Sequence, residues 1–303
     1  MRLISRSIRI VPLLVLLLAA AQYLESNSVD ITIDRGGVLL KGKFHAADGA
    51  GNLPTVVLLS GLPGNENDVL GIGDQLSQSG INALTFNYSG THQSEGKCSH
   101  NNILLDIQAA FEYLHQPQNI SRHKIDTSLI YLGGYCAGGG MALAYAAVHP
   151  EINSVFFIAG SDQSEFFRQY VDHPEMRKMI DDGFAEMSAP TGVVRFEAGG
   201  TPKEIVEAGI EKMNPALDLK KNAASLAEKD ILLIAGWNDD LTTIERFILP
   251  LYRALQNEKA QNVRITAFQD DHSFGNSRKE LAQIIIEWIK TAPERKKLFL
   301  GAP

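Results

Sequence analysis

The stretch LGGYCAGGGMALAYAA, residues 132–147, decides how this chain is read. Its first residues close an apolar run of strand character, SLIYLGGYC (128–136). Its last ones belong to AGGGMALAYAAVHP (137–150), a helix-forming segment ended by proline. Gly134-Tyr135-Cys136-Ala137-Gly138 therefore falls where a strand passes directly into a helix. So tight a turn needs glycine around its centre, because side chains there would collide with the neighbouring strand and helix. The central residue is pushed above the carboxyl edge of the sheet, at a helix N-terminus that favours negative charge. This is the setting of a nucleophile elbow, normally written with serine. With cysteine there, three readings of Cys136 stand: a reactive thiol, an inert buried residue, or half of a disulfide with Cys98.

The surrounding pattern sets the fold class. PTVVLLSG (54–61), SVFFIAG (154–160) and DILLIAG (230–236) are short apolar runs, as strands buried on both faces should be, and INALTFNYSG (81–90) and NVRITAFQD (262–270) continue the series of strands. Helical spacing is expected over 65–79, with Gly80 as its stop, and over 103–114, 243–256 and 278–290. ITIDRGGVLLKGKFHAA (31–47) reads as a β-hairpin turning near Arg35-Gly36-Gly37. Strand–helix alternation of this kind predicts an α/β fold, a mostly parallel central sheet with crossover helices on both faces. The rhythm breaks over 161–229, between two core strands, and a stretch that long is expected to be a helical lid rather than a loop. Residues 22–303 otherwise form one domain.

A thiol at an elbow needs a base and an acid to orient it, in the chain order acid, then histidine. Asp239, in Gly236-Trp237-Asn238-Asp239-Asp240 after the strand 230–236, is the expected acid, with Asp240 as the alternative. Of the eight histidines, His272 alone follows a core strand in that order and precedes the closing helix. Asp239 would orient the imidazole and stabilise its charged form while His272 moves the proton. An oxyanion formed at the site needs N–H donors. Those of Leu62, in Ser60-Gly61-Leu62-Pro63-Gly64, and of Ala137 are the natural pair, since Pro63 has none to give.

Composition excludes several classes. The chain has 303 residues, 45% hydrophobic and 21% charged, and a net charge of −7 without a basic cluster, which argues against a nucleic-acid partner. Its two cysteines, Cys98 and Cys136, are no disulfide scaffold, and no Cys/His set has zinc spacing, so neither metal nor organic cofactor is expected. MRLISRSIR followed by the apolar run Ile10–Ala21 reads as a signal peptide over residues 1–21, hence a secreted or periplasmic protein. Retained, the segment would instead anchor the chain to a membrane. Asn119-Ile120-Ser121 is a glycosylation sequon.

Taken together, the ordered segments Ser-Gly-Leu-Pro-Gly, Gly-Tyr-Cys-Ala-Gly-Gly, Gly-Trp-Asn-Asp and Asp-His-Ser-Phe resemble the α/β-hydrolase superfamily across roughly residues 30–291. The elbow is similar to that of dienelactone hydrolases, which use a Cys-His-Asp triad on this fold. The resemblance implies a working thiol at Cys136 and hydrolysis of an ester, lactone or thioester of a small-molecule substrate. The export signal and the long insertion depart from that family and are more like lidded esterases or prolyl-oligopeptidase-like peptidases. A peptidase or acyltransferase is thus the alternative enzyme, and a hydrolase-fold binding protein with an idle or disulfide-bonded Cys136 the alternative without catalysis.

Overall fold

The computed structural model describes residues 28–300, apart from 66 and 68; the expected signal peptide lies outside the described residues. The chain opens with an antiparallel hairpin, β1 (Ser28–Arg35) and β2 (Val38–His45). Gly36 and Gly37 turn it at φ 59° and 92°, the paired positive angles that match a two-residue turn to the twist of the strands.

Beyond the hairpin lie six more strands: β3 (Leu53–Leu59), β4 (Asn82–Phe86), β5 (Ile125–Tyr135), β6 (Ser154–Ile158), β7 (Asp230–Gly236) and β8 (Val263–Phe268). They lie in the order β1-β2-β4-β3-β5-β6-β7-β8, antiparallel as far as β4 and parallel from there on. All five residues of β4 and of β6 are buried, which is why their sequences run apolar instead of alternating. Alternate residues of β3 feed opposite faces. Val57 and Leu59 join one core cluster and Val56 and Leu58 the other. An eight-stranded, mostly parallel sheet in this order, packed on both faces, is the α/β-hydrolase fold.

The crossovers are α1 (Ile72–Gln78), α2 (His100–His115) with α3 (Pro117–His123), α4 (Ala137–Val148), α5 to α8 between β6 and β7, α9 (Leu249–Asn257), and a closing α10 (Arg278–Leu300). Helix α4 is buried from Gly138 through Ala147, as a helix apolar all round must be. β3 lies between β4 and β5, so the chain leaves β3 for one side and later returns to the other. Ligands bind at such a switch point, outside the carboxyl ends of the strands. Here those ends carry the Ser60–Gly64 loop and Cys136.

Two helix expectations need correction, and the sequon has a structural setting of its own. The helix expected over 65–79 is confined to Ile72–Gln78, because Leu70 and Gly71 take positive φ, 55° and 75°, and a right-handed helix cannot run through them. The helix expected over 243–256 begins with a wide π-turn, Ile244–Ile248; Pro250, lacking an N–H, cannot continue a regular ladder there. Asn119 lies in α3, buried, with its amide donating to the Tyr113 carbonyl at 2.8 Å. The sequon is therefore a structural corner and not an open acceptor.

Helix α4 begins against the chain leaving β6. A Cβ on Gly140 would stand 1.8 Å from the Ser161 carbonyl oxygen. Both partners are backbone, so the strain has no flexible side chain to relieve it. Gly140→Ala is expected to lower unfolding stability by about 3 kcal/mol, read as a fall in the urea midpoint with unchanged slope.

Candidate active site

Cys136 caps α4 at φ 55° and ψ −125°, a conformation that a residue with a Cβ adopts only under constraint. The constraint comes from β6 and the turn at its carboxyl end. Cys136 N donates to the Ile158 carbonyl at 2.9 Å, and the Cys136 carbonyl accepts from Gly139 N at 3.0 Å and Ser161 N at 3.3 Å. The side chain is half-buried and its thiol is free.

Cys98 is also a free thiol, so the two do not form a disulfide. Its backbone has a different job. Cys98 N donates to the Arg195 carbonyl and its own carbonyl accepts from Glu197 N, at 2.8 and 2.9 Å, which tacks the 161–229 insertion to the loop after β4. Burial, and then the charge of Asp106, pushes the Cys98 thiol up to about 12, leaving it a small protonated hydrophobe.

His272 and Asp239 arrive from the loops after β8 and β7. His272 Nδ1 lies 2.8 Å from Asp239 Oδ2, and Cys136 is near enough to the same ring to raise its pKa. Burial alone would lower the His272 pKa. The hydrogen bond to Asp239, the nearby Cys136 side chain and the charges of both outweigh it and push the value up to about 10. For Asp239 burial works upward, but the bonds from His272 and from Thr242 hold its carboxyl below the usual range. Asp240, the alternative acid, is exposed.

Two supports escaped the sequence reading. Asp239 Oδ1 accepts from Leu241 N and Thr242 N, both at 2.8 Å, while Thr242 Oγ1 sits 2.6 Å from Asp239 Oδ2 and 2.9 Å from the Ala159 carbonyl. The carboxylate is thereby locked in plane, facing the imidazole. The signal was available in Asp239-Asp240-Leu241-Thr242, where an Asp-x-x-Thr turn brings hydroxyl and amides back to the acid. Tyr135 is the second support. Its hydroxyl donates to the His272 carbonyl at 3.0 Å, fixing the histidine loop to the elbow.

Leu62 and Ala137 flank Cys136 in a single cavity. Ala137 opens α4, and among the described residues neither backbone N–H has an intramolecular acceptor. The loop carrying Leu62 is held by the buried Tyr88 hydroxyl, which donates to the Ser60 carbonyl at 2.6 Å, and by His92 Nε2 on the Gly64 carbonyl. Burial raises the Tyr88 pKa strongly, so it stays a neutral donor.

The cavity encloses about 280 Å³. Its roof comes from the insertion: α5 (Gln163–Asp172), α6 (Pro174–Ser188) and α7 (Pro202–Glu211), with α8 (Ala223–Ala227) returning the chain to the sheet. Phe167, Phe184, Met187 and Ile205 face Met141 of the core helix across it. Among the described residues no group of three or more His, Cys, Asp or Glu is arranged to hold a metal ion, and no helix is long and apolar enough to cross a membrane.

Comparison with known proteins agrees with the topology. Residues 54–187 match the family model for the alpha/beta hydrolase fold. Est1E from Butyrivibrio proteoclasticus, solved with ferulic acid bound, is 15% identical with a TM-score of 0.60, covering 86% of this chain and 97% of its own. An esterase from Pyrococcus furiosus is 18% identical with a TM-score of 0.62, over 87% and 90% of the two chains. A putative dienelactone hydrolase from Klebsiella pneumoniae is 17% identical with a TM-score of 0.56, over 87% and 98%. At these identities the likeness is one of fold. The comparison with curated proteins found no match.

Proposed function

We propose that the chain is a hydrolase of carboxylic esters, with lactones and thioesters within its reach, that works through Cys136, His272 and Asp239. The observation that carries the reading is the hydrogen bond between Asp239 and His272, with Cys136 beside that ring and lining an apolar cavity. Esterases and a dienelactone hydrolase among its structural likenesses are consistent with it.

The chemistry follows from the positions. Cys136 Sγ, its proton passed to His272, attacks the ester carbonyl carbon, and the carbonyl electron pair moves onto oxygen. The N–H groups of Leu62 and Ala137 receive that oxyanion. As the tetrahedral carbon collapses, the bond to the alkoxy group breaks and the His272 imidazolium gives the leaving oxygen its proton. Water, deprotonated by the same ring, then attacks the thioester. The free acid departs, and the thiolate recovers its pairing with His272. In this scheme residues 161–229 act as a lid that selects the acyl group. Residues 1–21 direct export, which N-terminal sequencing of the exported protein would test.

A direct assay is turnover of p-nitrophenyl acetate or butyrate with concurrent alkylation. One equivalent of iodoacetamide should label Cys136, leave Cys98 untouched and abolish turnover. Full activity after labelling of Cys136 would refute the reading.

A further inference from the structure

One polar pair in the cavity wall has no part in that chemistry. His100, the first residue of α2, packs edge-on against Phe167, ring centroids 5.4 Å apart, and its Nε2 lies 3.0 Å from Gln163 Oε1. Both residues line the cavity with Cys136 and Ala137. They stand at its elbow end: Ser161, two residues before Gln163, donates its N–H to the Cys136 carbonyl.

The hydrogen bonds around the pair fix where the ring carries its proton. Gln163 Nε2 donates to the Ser161 carbonyl at 3.2 Å and reaches Ser161 Oγ at 2.8 Å. The amide is thus held with Oε1 toward His100. A carbonyl oxygen only accepts, so the hydrogen must sit on His100 Nε2. Burial holds the ring well below the usual histidine value, at about 4, against a smaller upward pull from Gln163. Around neutral pH the ring is uncharged and Nδ1 is a bare acceptor. Among the described residues Nδ1 has no hydrogen-bond partner. Nδ1 is not one of the buried polar atoms left without a partner, so it is open to the cavity and free to accept from a donor on the ligand.

We propose that His100 Nδ1, oriented by Gln163, is a specificity-determining acceptor that selects acyl groups bearing a hydroxyl donor on the part that extends beyond the reacting carbonyl. This rests on the hydrolase reading for the position of that carbonyl. A site built to bond a hydroxyl rejects the analogue lacking one far more strongly than an apolar pocket rejects a methyl group, because the wall's own acceptor is left unmet. The apolar roof then takes the remainder of the acyl group.

The test compares methyl 3-arylpropanoates hydroxylated at the ortho, meta or para ring position, each with its methyl ether. At one position the phenol should exceed its ether in kcat/KM by about 10- to 100-fold. In His100→Phe, which keeps the ring contact with Phe167, that ratio should fall to about 1. Calorimetric binding of the same pairs to Cys136→Ala protein should show the same preference without turnover. Nitrogen-15 spectra of the unmodified protein should show the Nε2–H tautomer at neutral pH, with the Nδ1 signal moving when the preferred phenol binds. Equal values for phenol and ether at all three positions, a ratio that survives in His100→Phe, or a proton on Nδ1 would each overturn the assignment. If no ester is cleaved while the binding preference persists, the hydrolase reading fails and the His100 acceptor stands.

Discussion

Cys136→Ala should lower kcat/KM for a p-nitrophenyl ester by roughly 10⁴-fold or more, with the fold intact. The size follows from the role proposed: without Sγ no covalent intermediate forms, and the residue left at the elbow can only hold the substrate against the Leu62 and Ala137 amides. The fold should survive because alanine faces the same positive φ of 55° that cysteine already accepts, and the hydrogen bonds that hold it there are made by its backbone. Cys136→Ser separates chemistry from geometry further. It retains size and hydrogen bonding, yet an alcohol gives up its proton to the imidazole far less readily than a thiol, so turnover should fall steeply there too. Thermal melts alongside turnover check the point. Normal turnover in folded Cys136→Ala would remove Cys136 from the mechanism.

What was legible in the sequence was the set of strand ends. Leu62, Cys136, Asp239 and His272 each come shortly after a strand, and in a parallel sheet all such ends rise from one edge. Chain order and turn residues were therefore enough to nominate them; in the structure Leu62 and Cys136 line one cavity, and His272 pairs with Asp239. Less legible were features decided by pairing across long separations. His100 and Gln163 are 63 positions apart, and nothing in either neighbourhood marks them for each other. The tie between Cys98 and residues 195–197 is made by backbone groups, which carry no side-chain signature. The short first helix was missed because apolar spacing over 65–79 is blind to two left-handed residues in its middle. Thr242 stood in plain view as part of a turn. Its importance depends on the Ala159 carbonyl coming within reach of the same hydroxyl, a consequence of β6 and β7 lying side by side.

Asp239→Asn should be almost as damaging as loss of the nucleophile, and its pH profile distinguishes positioning from simple unfolding. In the native protein His272 stands at about 10, raised against the effect of burial by Asp239 and Cys136. Below that pH the imidazolium is retained and can protonate the leaving group; above it the proton is lost. Activity should therefore hold through pH 8–9 and fall near 10. Asparagine removes the charge and can present N–H instead of oxygen to Nδ1, which favours the wrong tautomer. Burial then dominates, so the alkaline limb should move down toward the ordinary histidine value of 6.5 or beyond. At pH 8 the expected loss in kcat is about 10³- to 10⁴-fold. Stability obeys the same linkage. A histidine raised on folding contributes fully below 6.5 and loses that contribution as pH rises through about 10. The native protein should consequently exceed Asp239→Asn in urea midpoint most clearly near pH 6, with the gap narrowing toward pH 10. Thr242→Val, which keeps the carboxylate but removes the hydroxyl beside it, should shift the limb in the same direction by less. An alkaline limb unmoved in Asp239→Asn would show that the carboxylate does not set the proton affinity of His272.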